Sequence, residues 1–240
     1  MNFLLLDTAD PHGCVALFRN RELLAVAPHP AEQDFSSWLL PAVHGVLRQS
    51  GLSLGNLDGY AVCSGPGSFT GLRVGLTTVK AWAEIYSRPI APVSRLESLA
   101  MAEVGSAQPP ASFTAVFSEA RRGQVFAALY DRSFQTVEPE TVTALETFLS
   151  RVAAFCGSRP ILWKTPDPNL LEVEPQWSVR QAIGDALQRV EPPFAAQLGA
   201  LAYQKFAAGQ TVDAITLDAN YVRRSDAELF WKDHVSAVRA

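Results

Sequence analysis

Two carboxylates stand where an apolar run ends: Asp7 after the run from Leu4, and Glu119 after the run from Phe113. The end of a strand is where an acid can face a nucleotide-bound metal, and a kinase-like use of the pair requires phosphate-binding glycines after each acid. Asp7 is followed instead by TADPHG, and Glu119 by Ala120, Arg121, Arg122 and Gly123. The two arginines could hold a phosphate or neutralise Glu119 and its neighbours; the ion pair is the simpler use. The densest stretch runs from Ser64 through Gly65, Pro66, Gly67, Ser68, Phe69, Thr70 and Gly71 to Gly75. Its glycines permit positive φ and close backbone approach, Ser68 or Thr70 can cap the helix that follows, and such a helix start can hold an anion. No Lys-Ser or Lys-Thr completes a P-loop, and Thr70 takes the third glycine position of GxGxxG. Tight packing and ligand contact are both open readings of this turn.

Other chemistries find less support. His12, His29, His44 and His234 are isolated, without the HxxxH or HExxH spacing that gathers imidazoles around a metal. Ser68 lacks the GxSxG elbow of a hydrolase nucleophile. Cys14, Cys63 and Cys156 are odd in number, far apart and set in apolar runs, which predicts buried thiols and a reducing cytosol rather than a disulfide framework. The start has neither the basic flank nor the apolar length of a signal peptide, and no later run reaches a membrane span.

The elements that position these groups follow from periodicity. Leu4 to Asp7, Cys14 to Phe18 and Leu23 to Ala27 read as three strands joined by hairpins. Glu32 to Gln49 is helical, Gly59 to Ser64 a strand, Leu72 to Tyr86 a helix and Pro89 to Val93 a strand; Ser94 then opens a helix with Glu97 completing a capping box. The segment 105–112 has linker composition. Beyond it, Phe113 to Ser118, Gln124 to Asp131, Phe134 to Glu138 and Pro160 to Trp163 read as strands. Leu145 to Phe155, the region near Gln181 to Val190, and Phe194 to Ala208 read as helices. Lys164 to Val179 shows more punctuation than pattern. Three strands, a helix and a strand therefore occur twice, which predicts a duplicated α/β unit. The expected division is 1–104 plus 214–240 for the first lobe and 105–213 for the second.

Both long helices of the first half carry more apolar surface than one docked face requires. In the first, Phe35, Leu39, Ala42 and Val46 form one stripe and Trp38, Leu40, Val43 and Leu47 flank it; in the second, Val74, Thr78, Trp82 and Ile85 lie beside a sheet-facing stripe. The excess either packs under the same chain or forms a partner surface, as when two helices meet two of another subunit. Lys and Arg number 20 against 24 Asp and Glu, a net charge of −4. Nucleic-acid binders show a basic excess, so any RNA here is held mainly by another molecule.

LLLDTA, FSSWLLPAV, SGPGSFTGLRVG, EARRGQVFAALY and ANYVRR together resemble the bacterial TsaB family, also called YeaZ-like. The resemblance spans the first half and touches the second at its opening hairpin and the tail; only GPGSFTGLRVG is specific by itself. It implies an actin-like ATPase (ASKHA) fold: two RNase H-like lobes, each a mixed five-stranded sheet with flanking helices. It also implies a non-catalytic part, without cofactor or metal, in making N6-threonylcarbamoyladenosine at adenosine 37 of ANN-decoding tRNAs. The expected partners are a TsaD-like paralogue, engaged through the two first-lobe helices, and a TsaE-like ATPase at their junction. Contact with tRNA is then indirect, and a homodimer through the same stripes is expected when the chain is alone. The family usually has His at Phe35, Asp at Glu119 and Glu at Gln124, so any residual ligand cleft at Asp7, Gly65, Gly67, Ser68, Glu119 and Arg121 is vestigial. The alternative is a stand-alone ASKHA-type ATP-dependent enzyme; a peptidase reading requires a metal set that the sequence lacks.

Overall fold

Hairpins build the first strands of both halves. In the computed structural model, which describes residues 1–102, 111–192 and 194–223, β1 (Asn2–Asp7), β2 (Cys14–Arg19) and β3 (Glu22–Pro28) form an antiparallel meander. Asn20, in the left-handed region at φ 54°, closes the second of these turns. After α1 (Phe35–Gln49), β4 (Gly59–Gly65) returns parallel to β1; α2 (Phe69–Tyr86), β5 (Ile90–Ser94) and the short α3 (Arg95–Ala100) follow. The second half repeats the plan with β6 (Phe113–Glu119), β7 (Val125–Asp131), β8 (Thr136–Thr143), α4 (Leu145–Cys156) and β9 (Ile161–Thr165). Then come α5 (Pro168–Glu172), α6 (Pro175–Ile183), β10 (Ala186–Arg189) and α7 (Ala195–Ala207). The sheets run β3-β2-β1-β4-β5 and β10-β9-β6-β7-β8, the same order when strands are counted within each lobe.

Alternation along the central strands assigns the layers. From β1, Thr8 and the residues in phase with it lie toward α2, whereas Phe3 stacks on Phe18 and meets Phe206 of α7. In the second sheet, Phe113, Ala115, Phe117, Val125, Ala127 and Leu129 join Phe148 and Val152 of α4 and Trp177 of α6 in a separate core. Their alternate neighbours Val116, Phe126, Ala128 and Tyr130 belong to the first lobe's core. The connection runs through α3, which touches β4 and β5 on one side and β6, β7 and β9 on the other. Buried Lys164 of β9 reaches across to donate to the carbonyls of Ala100 (2.8 Å) and Ala102 (2.6 Å), at the end of that helix.

The structure departs from the sequence expectations at four places. Residues near Gln181 to Val190 are not one helix: Gly184, at φ 105°, ends α6, and Ala186–Arg189 becomes the edge strand beside β9. The unreadable stretch from Lys164 holds two short helices, each with a proline in its first turn, where a missing N–H costs nothing. β8 extends to Thr143, with an irregularity opposite Ala128 that accommodates Pro139 and Glu140 on this edge strand. Finally, α7 packs on the first sheet, although a boundary at 213 groups it with the second lobe. Gly199 permits this approach, since a Cβ there would lie 2.2 Å from the Phe18 ring. Most of the linker expected at 105–112, and Arg224 of the ANYVRR motif, lie outside the described residues.

Candidate functional site

Asp7 closes β1 with no exposed surface. Its Oδ2 accepts from Nη1 of Arg95 at 2.9 Å and its Oδ1 accepts from the amide of Ala9 at 3.0 Å. Arg95, 2% exposed, pairs through its other amino group with Asp10 and lies over the ring of Phe194 at 4.6 Å. Burial pushes the Asp7 carboxyl above the ordinary aspartate range while Arg95 pulls it down; burial also works against the charge on the guanidinium, but Asp7 and Asp10 together outweigh it, so Arg95 stays charged. The acid expected to face a ligand is thus neutralised from within the fold. Burial also pushes the thiols of Cys14, Cys63 and Cys156 up, so they behave as the small apolar residues their sequence context predicts.

The glycine turn is filled by the chain itself. A Cβ at Gly67 would stand 2.3 Å from the carbonyl oxygen of Ala9, one at Gly71 2.1 Å from that of Thr8, and one at Gly75 2.5 Å from the Thr8 hydroxyl. Gly65, at φ 129°, sits against the carbonyl oxygen of Asn220. The Ser68 amide donates to Ala9 (2.6 Å), the Thr8 hydroxyl donates to the Gly71 carbonyl (2.7 Å), and Ser68 Oγ caps α2 by accepting from the Gly71 amide (3.3 Å). Of the two readings left open by the sequence, close packing is the one these contacts carry: each glycine lets α2 or the tail meet the strap Thr8–Ala9 or the end of β4. Glu119 and Arg121 stand apart, on the β6–β7 hairpin. Glu119 is exposed, its amide donating to Asp167 (2.8 Å), and Arg121 adopts φ 60° in the turn.

The helix face divides differently from its sequence stripes. Trp38, Leu39, Val43 and Val46 are buried in the lobe's own core, and Trp38 packs edge-on against His29. Phe35 is half-buried and stacks on His29 at 3.9 Å. Ala42, Val74, Thr78 and Trp82 are half-buried, Trp82 lying against Tyr60, while Ile85 is 70% exposed. Between α1 and α2 runs a groove of about 530 Å³, mainly apolar, lined by Leu40, Phe69, Arg73, Val74, Thr77 and Thr78 among others. Leu40, 58% exposed, is the member of the flanking apolar set of α1 that opens onto this groove. Arg73 lies over Phe69 (3.8 Å), and its Nε donates to the Tyr221 hydroxyl (3.3 Å). Nothing local in the sequence signals that pairing, since the partners are 148 residues apart.

A second concavity, of about 670 Å³, opens beside β10 and is lined by Glu172, Trp177, Gln181, Asp185 and Arg189 among others. Asp185 is committed there to the Ile161 amide, the Trp163 indole and Arg180. Among the described residues no cluster of His, Cys, Asp and Glu could hold a metal ion, and no helix is long and apolar enough to cross a membrane.

Comparison with known proteins places this arrangement in a family. Residues 21–161 match the family profile TsaD, tRNA N6-adenosine threonylcarbamoyltransferase. The tRNA threonylcarbamoyladenosine biosynthesis protein TsaB of Bacillus subtilis is 30% identical over 96% of this chain and 98% of its own. The structure of YeaZ from Pseudomonas aeruginosa superposes with a TM-score of 0.70 at 26% identity, covering 92% of this chain and 99% of that one. An activator of 2-hydroxyisocaproyl-CoA dehydratase from Clostridium difficile, with bound ADPNP, shares only the fold, at TM-score 0.52, 8% identity, and 88% and 97% coverage. With two duplicated lobes of actin-like ATPase type and similarity along nearly its whole length, the chain belongs to the TsaB (YeaZ) family of tRNA threonylcarbamoyladenosine biosynthesis proteins.

Proposed function

We propose that the chain is a non-catalytic subunit that binds and positions a TsaD-like transferase for threonylcarbamoyl transfer to tRNA, with a TsaE-like ATPase joining the pair. One contrast supports this reading. The acid and glycines of the first lobe are consumed by Arg95, Thr8, Ala9 and Asn220, while the α1–α2 groove leaves apolar side chains open to solvent. An exposed apolar groove between two helices suits two helices of another subunit. A TsaD-like paralogue presents related elements, since the TsaD profile itself matches this chain. With a net charge of −4, the chain leaves the tRNA phosphates to the partner.

The burial of Trp38 makes it a poor probe, because charging it would disrupt the lobe. Leu40→Asp combined with Thr77→Asp places two charges in the groove and leaves the core intact. Loss of co-purification with the TsaD-like partner, with unchanged circular dichroism of the isolated chain, is the expected result; undiminished complex formation would overturn the interface. Calorimetry with ATP and magnesium tests the rest. Micromolar, metal-dependent binding to the isolated chain would replace this reading with that of an ATP-dependent enzyme.

A further inference from the structure

The segment after α7 ties the groove to the junction of the lobes. Val212 forms a bridge with Ile90, and Leu217 is buried in the first lobe's core. The Asn220 amide then donates to the Ser64 carbonyl at 2.8 Å, beside the space that Gly65 leaves open. From there three of the four residues 220–223 reach across to other segments. The Asn220 side chain donates to Oε2 of Glu140, Tyr221 packs on Phe69 at 4.9 Å and meets Arg73, and Arg223 donates to Gln124 at 2.8 Å. Glu140 belongs to the second lobe, Phe69 and Arg73 to the groove, and Gln124 to the hairpin of the second lobe.

Glu140 is an unusual anchor. The irregularity in β8 carries it to the lobe junction, where its other oxygen accepts from Ser94, the residue that caps α3. Burial and Glu97 push its carboxyl up, while Ser94, Asn220 and Lys205 pull it down; Tyr130 is the remaining titratable neighbour. Lys205 is paired with Glu97 at 3.7 Å. The hydrogen bonds that hold Glu140 therefore come from two neutral donors, one on each of two separate segments. A half-buried carboxylate so placed favours two arrangements, both donors engaged or the junction opened to water, because losing one donor leaves a partly desolvated oxygen unsatisfied.

We propose that residues 218–223 act as a latch, with Glu140 as its catch, that couples occupancy of the α1–α2 groove to the closure of the two lobes. The partner half of this proposal rests on the function proposed above; the latch itself does not. A helix seated in the groove meets Phe69 and Arg73, displaces or fixes Tyr221, and so loosens or tightens Asn220 on Glu140 one residue away. Effector and readout are then two distinct sites joined by one short segment with two states.

Hydrogen exchange of the full chain, read by mass spectrometry, tests the latch through both ends. Tyr221 is 41% exposed, so Tyr221→Ala leaves the core intact. It is expected to speed exchange on the order of tenfold within 136–143, in the other lobe. Glu140→Ala is expected to do the same at 69–74, the start of α2. Changes confined to 219–223 in the first variant and to 136–143 in the second would overturn the latch. Adding the TsaD-like partner should alter exchange at 136–143 in the unaltered chain but not in Tyr221→Ala. If the partner binds and shields α1 and α2 while 136–143 stays unchanged, the coupling is overturned though the interface stands. If no partner binds, the interface and the coupling to it both fall, while the two variants still decide whether the segment links the lobes.

Discussion

The first and second lobes have the same strand order, yet their coverings differ, and the difference accounts for what each can do. The first sheet carries α1 and α2, of 15 and 18 residues, on one side and α7 on the other. The position taken by α2 in the first lobe is filled in the second by α5 and α6, of 5 and 9 residues. Long helices side by side leave a groove; the short ones leave an open, polar concavity beside an edge strand. Among the described residues each lobe also buries an Asp–Arg pair, but the pairs do different work. Asp185 and Arg180 stitch α6 to β9 within one lobe, whereas Asp7 and Arg95 tie β1 to α3, the helix both lobes share. One strand order thus supports either a surface for a partner or a closed structural unit, according to the crossovers laid on it.

The sharpest way to break this comparison is to remove one member of each ion pair. Arg95→Met is expected to cost about 3–5 kcal/mol, since it leaves an uncompensated buried carboxylate, and to loosen both lobes in one transition. Asp185→Ala should cost a similar amount but act first on the second lobe. Urea melts followed by near-ultraviolet circular dichroism and by limited proteolysis would distinguish them. If Arg95→Met loosens only the first lobe, α3 does not join the two lobes.

The glycines give a smaller and more selective contrast. Gly71→Ala forces a Cβ against the Thr8 carbonyl and is expected to cost about 1–3 kcal/mol, as other overpacked sites do. Gly123→Ala meets open space, and its penalty is the left-handed backbone at φ 69°, about 1 kcal/mol. Thermal melts of the two variants, with unaltered partner binding by Gly123→Ala, would confirm that one turn is built for contact and the other for curvature.

The junction adds a pH dependence. The folded state holds the Glu140 proton more tightly than the unfolded chain does, because burial outweighs its donors. That contribution to stability is complete below the ordinary glutamate value of 4.5 and is lost as pH rises through the higher folded value. The stability of the unaltered chain relative to Glu140→Gln should therefore fall as pH is raised across that window, in urea melts at a series of pH values. A constant difference would show that Glu140 is solvated. The smallest effect is expected at Leu40. Leu40→Asp should change stability by no more than about 0.5 kcal/mol, as exposed substitutions do, while weakening the complex.

Strands and long helices were legible because alternation and the 3.6-residue period are properties of adjacent residues. The short elements were not. Ala186–Arg189 has no strand-forming side chain beyond Leu187 and becomes β10 through pairing with β9. Pro168 and Pro175 look like breaks in a pattern until they are seen to begin helices. At the helix face, apolar periodicity found both helices but could not divide Leu39, buried, from Leu40, exposed. That division depends on where the sheet and the neighbouring helix lie.

By itself the sequence determined the duplicated α/β plan, the glycine turn, the buried character of the cysteines and, through its motifs, the family. Each of these is written in local pattern or in residue type. Tertiary structure decided what the candidate residues do: that Arg95 neutralises Asp7 from 88 positions away, that Thr8, Ala9 and Asn220 occupy the space the glycines leave, that α7 serves the first lobe, and that the tail reaches Glu140. Those outcomes are set by which distant segments meet in the folded chain, and a carboxylate or a glycine has the same identity in sequence whether its neighbour is a ligand or the protein's own backbone.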